Sequence, residues 1–169
     1  MVRVVAALIW KGDKFFICQR PGHKARGMLW EFVGGKIEEG ETPEEALKRE
    51  CFEELGVDVE VRGLFAKTQY DYGDIKVDLL LYDAVFTDQL PRLIEHNAFA
   101  WITANEINEY KFCRADYFLL DNIKRQDEAF RIQRDCYDSV LAAKIYDKAA
   151  YDYKMRDIAQ KMNMTGRVE

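Results

Sequence analysis

The sequence contains little of what disulfide-bonded, zinc-binding or membrane-spanning proteins depend on. It has four cysteines without a CxxC pair and only two histidines among 169 residues. A disulfide framework and a zinc site are therefore not expected, and reduced thiols are the simplest interpretation. No apolar run approaches the roughly 18 residues that a membrane-spanning helix needs. The first residues lack the basic region and small-residue cleavage site of a secretory signal, so we expect a cytoplasmic protein without a membrane partner.

Clustered positive charge is also missing. The 25 basic residues are outnumbered by 30 acidic ones, which gives a net charge of −5. Without a basic cluster, the chain is a poor candidate for binding the backbone of a nucleic-acid polymer. A single nucleotide is still a suitable ligand, because a metal ion can bridge its phosphates to protein carboxylates.

Strands and helices are mixed along the first three quarters of the chain. Hydrophobic residues make up 49% of the sequence and charged residues 33%, proportions typical of a globular domain. The hydrophobic pattern and turn signals predict strands at 2–10, 14–20, 29–35, 57–70, 75–86 and 99–102. They predict helices at 42–56, 103–110 and 114–124. Segments of these lengths indicate an α/β or α+β sandwich, placed here at residues 1–124.

Residues 125–169 form a C-terminal extension in this interpretation. No proline or glycine occurs between 125 and 162, so nothing interrupts a helix there. Apolar residues recur at about helical spacing, namely Phe130, Tyr137, Leu141, Ile145 and Ile158. One or two amphipathic helices are expected, packed either on the domain or on the second subunit of a homodimer.

The helix at 42–56 carries the clearest start and stop signals. Thr42 suits the N-cap, Pro43 the first helical position, and Glu45 completes a capping box. Gly56 is a typical helix end.

Three carboxylates of this helix lie together beside its apolar face. At about 100° per residue, Glu50, Glu53 and Glu54 fall within an arc of roughly 100°. A solvated acidic surface would explain them without any function. However, Glu50 and Glu54 are like charges four residues apart, which costs a few tenths of a kcal/mol unless a cation intervenes. The cluster therefore favours a site for Mg²⁺, with Mn²⁺ as the other suitable ion.

Two consecutive glycines, Gly34 and Gly35, precede the helix. They allow the backbone to approach a metal ion or a phosphate closely, and a main-chain carbonyl there is a suitable metal ligand. An ordinary turn at the end of a strand would account for one of these glycines more easily than for both.

The segment 34–57 resembles the Nudix box, G-x5-E-x7-R-E-U-x-E-E-x-G-U, in which U is an apolar residue. The matching positions are Gly35, Glu41, Arg49, Glu50, Cys51, Glu53, Glu54, Gly56 and Val57. The resemblance implies the Nudix α/β/α sandwich with a mixed sheet. It also implies hydrolysis of a nucleoside diphosphate linked to a further group, with Mg²⁺ or Mn²⁺ as cofactor.

The resemblance also implies roles for individual residues. Gly34, Glu50, Glu53 and Glu54 would hold the metal, and Glu50 and Glu53 would take part in catalysis. Arg49 would orient the carboxylates by charge-assisted hydrogen bonds, and Glu41 would be an outer orienting residue.

The flanks of the box, over about residues 2–124, resemble the MutT-like branch of the family. That branch converts nucleoside triphosphates to monophosphates and pyrophosphate, often with 8-oxo-dGTP as the substrate. By position, Arg20 would hold phosphate, and Glu31, Phe32 and Val33 would line the nucleotide pocket. Glu95 would be an additional metal-binding or basic residue. The neighbouring His96 has two interpretations, a phosphate contact or a structural role.

Asp116 falls where this branch has its base-recognising residue. An ionised carboxylate only accepts hydrogen bonds, which suits the N1–H and N2–H₂ groups of guanine or the N4 amino group of cytosine. CTP, dCTP or a modified cytidine triphosphate is therefore the alternative substrate. Asp116 as a helix N-cap is the interpretation without a function.

A third hypothesis is a non-catalytic nucleotide-binding regulatory module. The complete carboxylate set, Glu50, Glu53 and Glu54, argues against it.

Overall fold

The computed structural model describes residues 1–87, 90–146 and 155–157. Seven strands and three helices are assigned within residues 1–146 of this description, and residues 155–157 are also helical. The strands are β1 (Val2–Lys11), β2 (Lys14–Gln19), β3 (Trp30–Glu31), β4 (Gly34–Lys36), β5 (Val59–Asp71), β6 (Lys76–Phe86) and β7 (Ala98–Thr103). The helices are α1 (Pro43–Leu55), a 3₁₀ helix (Ala104–Glu109) and α2 (Asp116–Tyr146).

The seven strands form one mixed sheet. Its main path runs β3-β2-β1-β6-β5, with β4 paired to β1 and β7 paired to β2. The pairing of β1 with β6 is parallel, whereas the other pairs are antiparallel. A parallel pair requires a long connection between its strands, and here that connection includes α1. The mixed α+β fold expected from the sequence is confirmed.

Strand β1 lies at the centre of this sheet, and residues 5–9 are buried without interruption. Strands that are buried on both faces have such continuous apolar runs instead of alternation. Val5, Ala7 and Ile9 belong to the same core cluster as Leu47 and Leu55 of α1. Helix α1 is thereby held against the centre of the sheet.

Helix α1 agrees closely with the sequence prediction. The Thr42 hydroxyl accepts a hydrogen bond from the Glu45 amide, and the Glu45 carboxylate accepts one from the Thr42 amide. Gly56 ends the helix in the left-handed conformation at φ 63°. The capping box and the helix end are both confirmed.

The single strand predicted at 29–35 is wrong. The segment forms two short strands on different partners, because β3 pairs with β2 while β4 pairs with β1. Phe32 and Val33 connect them, and the Val33 carbonyl accepts a hydrogen bond from the Ala7 amide. Gly34 then takes φ 151°, a conformation that other residues rarely adopt.

The helix predicted at 114–124 begins at Asp116 and continues to Tyr146 instead of ending at 124. The chain divides into two compact units, residues 1–122 and 123–169, and α2 contributes to both. The boundary at 124 and the packing of the extension stay predictions. The side chains of Tyr137, Leu141 and Ile145, and all of Ile158, lie outside what the structure describes.

The 3₁₀ helix replaces the predicted helix at 103–110 and keeps its predicted capping box between Thr103 and Glu106. None of the helices in the described part of the chain is both long and apolar enough to cross a membrane.

Candidate active site

The cavity beside α1 brings most of the sequence-predicted residues together. It has a volume of about 630 Å³. The residues that were predicted from the sequence and that line this cavity are Arg20, Glu31, Phe32, Gly34, Arg49, Glu50, Glu53, Glu54, Glu95 and Asp116. Val33 is not on its wall, because it is fully buried in the core cluster against α1.

Arg49 organises the acidic side of the cavity. Its Nε and Nη2 donate to the two carboxylate oxygens of Glu41 at 2.7 and 3.0 Å. Its Nη1 donates to Glu50 at 2.8 Å and to Glu53 at 3.1 Å. Arg49 also donates to the Lys36 carbonyl at 3.0 Å, which joins the helix to β4. Paired guanidinium contacts of this kind fix the orientation of the carboxylates and also stabilise their negative charge.

Glu41 is correspondingly stabilised as an anion. Hydrogen bonds from Arg49 and from the Glu38 amide lower the pKa of Glu41 to about 2. It thus stays ionised at all physiological pH values and keeps Arg49 in place.

Glu54 is the most buried of the three box carboxylates. Burial raises its pKa to about 7, with repulsion from Glu31 and Glu50 adding to the rise and His96 opposing it. Its Oε2 accepts a hydrogen bond from the Gly34 amide at 3.4 Å. Negative charge is therefore unfavourable at this position until a cation neutralises it.

His96 lies between two acidic side chains and is itself buried. Its Nε2 is 3.4 Å from Glu31 Oε1 and 3.9 Å from Glu54 Oε2. Its Nδ1 is buried and has no hydrogen-bond partner in the described residues. Of the two sequence interpretations of His96, this placement favours the structural one.

The two glycines are needed for close packing of the backbone. A Cβ on Gly34 would overlap the Val5 carbonyl oxygen, and a Cβ on Gly35 would overlap the Glu50 carboxylate. The groups approached here are protein groups, and the close approach to a metal ion or a phosphate stays a prediction. Gly34 lines the cavity, and its carbonyl as a metal ligand stays a proposal.

The cavity wall also contains Arg20, Glu31 and Asp116. Arg20 Nη1 donates to Glu31 at 2.6 Å, and Arg20 Nε donates to the Ala25 carbonyl at 3.0 Å. Asp116 is only 4% exposed. Burial, reinforced by the Glu31 charge and opposed by Arg20, raises the pKa of Asp116 well above its usual range.

The raised pKa of Asp116 favours the protonated carboxyl, which can donate a hydrogen bond as well as accept one. The ionised carboxylate expected from the sequence, in contrast, only accepts hydrogen bonds. Asp116 is also the first residue of α2, so the N-cap position belongs to Ala115. The N-cap interpretation is therefore wrong.

The burial of Asp116 predicts a pH-dependent stability difference. Its folded pKa lies above the unfolded value, so its cost to stability is absent below the unfolded pKa and grows as pH rises. We expect Asp116→Asn to raise the Tm at pH 8, by about 2–4 °C for each kcal/mol recovered, and to have little effect near pH 4. Thermal unfolding followed by circular dichroism at both pH values measures this. An equal effect at the two pH values would contradict it.

Three side chains at the cavity wall were not predicted from the sequence. The Arg26 guanidinium lies 3.9 Å from the centre of the Tyr72 ring and pairs with Asp74 at 2.6 Å. The Tyr72 hydroxyl accepts a hydrogen bond from the Ala115 amide at 3.0 Å. Lys24 pairs with Glu95 at 2.5 Å. These contacts join segments far apart in the sequence, so only the positive charges near Arg20 could have suggested them.

The donor chemistry of the cavity fits a hard divalent cation. Glu50, Glu53, Glu54 and Glu95 all line one cavity, and burial disfavours the anionic form of Glu54 in the absence of a cation. Within the described residues, no three or more acidic, histidine or cysteine side chains already stand in a group able to hold a metal ion. Metal binding would therefore require these carboxylates to come closer together.

Comparison with known proteins agrees with this geometry. A family model described as the NUDIX domain matches residues 1–131. The chain belongs to the Nudix family and is a hydrolase. Members of this family act on nucleotide substrates and generally use divalent metal ions.

Two relatives with named enzymatic activities are similar to the chain over most of their length. The chain is 34% identical over 121 residues to the CTP pyrophosphohydrolase of Escherichia coli, covering 72% of this chain and 90% of the relative. It is 30% identical over 115 residues to the 8-oxo-dGTP diphosphatase of the same organism, covering 68% and 89%.

Solved structures show the same fold. The solution structure of the E. coli ORF135 protein has a TM-score of 0.63 at 34% identity, with 72% of this chain and 87% of that chain covered. The solution structure of MutT from methicillin-resistant Staphylococcus aureus 252 has a TM-score of 0.61 at 32% identity, with 74% and 96% covered. The Nudix fold expected from the box is confirmed.

Proposed function

We propose that the chain hydrolyses a nucleoside triphosphate to the monophosphate and pyrophosphate with Mg²⁺, and that 8-oxo-dGTP is the preferred substrate. The observation that supports the chemistry best is the carboxylate set of α1, oriented by Arg49 and directed at a cavity large enough for a nucleotide. The similarity to an 8-oxo-dGTP diphosphatase supports the choice of substrate.

In this proposal Glu50, Glu53, Glu54 and Glu95 bind the metal, together with the Gly34 carbonyl. When bound, the ion neutralises phosphate charge and lowers the pKa of the attacking water. A carboxylate of the set accepts the proton of that water. Arg49 keeps Glu50 and Glu53 aligned throughout, and Arg20 contributes positive charge for the phosphates.

Asp116 supplies the base recognition. The N7 and O6 edge of guanine carries two acceptors, whereas 8-oxoguanine has a hydrogen on N7 beside O6. A protonated Asp116 can accept from N7–H and donate to O6, which favours the oxidised base over guanine. The same acid can accept from N4 of cytosine and donate to N3. This match, together with the CTP pyrophosphohydrolase relative, makes cytidine triphosphates the second candidate.

A substrate panel tests the proposal. The panel contains 8-oxo-dGTP, dGTP, CTP, dCTP, 5-methyl-dCTP and ADP-ribose, each with Mg²⁺ and again with EDTA. We expect kcat/KM for 8-oxo-dGTP to exceed that for dGTP by about tenfold or more, because one well-paired base edge contributes about 1–3 kcal/mol. A preference for cytidine triphosphates would overturn 8-oxo-dGTP as the substrate but would agree with the proposed hydrolysis. No turnover with Mg²⁺ would favour the regulatory module instead.

Two variants of Asp116 test the base recognition directly. Asparagine keeps one donor and one acceptor, so Asp116→Asn should retain the ratio of kcat/KM for 8-oxo-dGTP over dGTP. Asp116→Ala removes both, and the ratio should fall by about 5- to 100-fold. An unchanged ratio in the alanine variant would show that Asp116 does not contact the base.

A further inference from the structure

Lys24 lies in the loop between β2 and β3 and reaches the acidic side of the cavity. Its ammonium group contacts Glu95 Oε2 at 2.5 Å, although the two residues are 71 positions apart. Hydrogen bonding to Glu95 raises the pKa of Lys24, and the nearby Glu54 charge adds to the rise. Both residues line the cavity.

The Lys24–Glu95 pair is held less firmly than the ion pairs that Arg49 and Arg20 make on the cavity wall. Arg49 and Arg20 each donate through two or more nitrogens and are about three-quarters buried. Lys24 and Glu95 instead share one contact and have exposed side-chain fractions of 40% and 45%. Exposed single pairs of this kind contribute only about 0–1 kcal/mol, so a competing cation can replace the ammonium group.

Each of the four carboxylates proposed to bind the metal accepts a hydrogen bond from a protein group, and a metal ion would compete with that group. Glu50 and Glu53 are both held by Arg49, Glu54 by the Gly34 amide, and Glu95 by Lys24. Each of these four carboxylates thus has a protein donor in this structure. Lys24 is the donor whose flexible stem lets it move to a new anion nearby, and lysine ammonium groups bind phosphate oxygens well.

We propose that Lys24 exchanges partners during substrate binding. It neutralises Glu95 while the metal is absent, and it binds the phosphate chain of the nucleotide once a divalent ion has taken its place at Glu95. The proposal rests on the proposed function through the assignment of Glu95 as a metal ligand. It makes Lys24 a phosphate-binding residue whose availability depends on the metal.

Two binding measurements on Lys24→Met test the exchange without turnover. Mn²⁺ alone, followed by electron paramagnetic resonance, should bind the variant about two- to fivefold more tightly, because Glu95 no longer has a competing cation. Inorganic tripolyphosphate in the presence of Mg²⁺, followed by calorimetry, should bind about tenfold or more weakly, because a charged hydrogen bond is lost. A residue that only supports the loop would not shift the two affinities in opposite directions.

Two further variants complete the experiment. Lys67→Met removes an exposed lysine of β5 that is not on the cavity wall, and both affinities should stay unchanged. In Glu95→Gln, Mn²⁺ binding should weaken, and adding Lys24→Met should no longer tighten it. If Lys24→Met leaves Mn²⁺ affinity unchanged, or weakens both affinities together, the exchange is wrong. Opposite shifts without turnover of any triphosphate would keep the exchange and overturn the proposed function.

Discussion

Glu53→Gln is expected to lower kcat by at least about 100-fold on the best triphosphate, the range that removal of a positioned catalytic group produces. The change removes a negative charge from the carboxylate set and keeps the shape of the side chain. Glu53 is 53% exposed, and its contact with Arg49 at 3.1 Å involves one oxygen. Because little packing is lost and repulsion with Glu50 is relieved, the Tm should stay within about 2 °C of wild type.

Steady-state kinetics with Mg²⁺ and thermal unfolding measure the two effects separately. Glu44→Gln is the matched control, because Glu44 lies in the first turn of the same helix and does not line the cavity. The control should retain wild-type kcat. A near-wild-type rate for Glu53→Gln would remove Glu53 from the proposed mechanism.

The largest stability effect is expected for Gly34→Ala. The added Cβ meets the Val5 carbonyl and the Ala6 Cα, which are backbone atoms of the central strand and cannot move aside. The φ of 151° is a further cost for any residue with a side chain. Backbone strain of this kind costs about 1–3 kcal/mol before the overlap is counted. We therefore expect the free energy of unfolding to fall by about 3 kcal/mol or more, and the Tm by about 6–12 °C.

Chemical denaturation of Gly34→Ala measures this loss of stability. Gly63→Ala is the control variant, measured in the same way. Gly63 lies in β5, its φ is not in the positive region, and a Cβ there would meet nothing within 4 Å. This variant should differ from wild type by less than about 1 kcal/mol. If the two variants were equally stable, close packing of Gly34 on β1 would not be a requirement of the fold.

The sequence predicts the elements whose signals are local. The start and end of α1 depend on Thr42, Glu45 and Gly56, which all lie within or next to the helix. The clustering of Glu50, Glu53 and Glu54 follows from the helical repeat alone. The three glutamates and Gly56 are also positions of the Nudix box, on which the resemblance to the family rested.

The sequence does not predict features that depend on which segments meet in space. The change of strand partner after Glu31 is determined by pairing with β1 and β2, which no local pattern reveals. The ion pairs Lys24–Glu95 and Arg26–Asp74 each join distant segments. The raised pKa of Asp116 follows from its burial, reinforced by the Glu31 charge, whereas the residue type alone suggests an ordinary ionised carboxylate.

The parallel pairing of β1 with β6 has a consequence for the folding rate. Val2 pairs with Val77 and Ile9 with Ala84, so the centre of the sheet is closed by contacts about 75 residues apart in the chain. The entropy of closing so large a loop has to be overcome before such contacts stabilise anything, which makes folding slower than local structure would allow. The capped helix α1 is a local element and can form early. The cavity wall includes residues of β1 and β6, so we expect it to be complete only after this long-range pairing has formed.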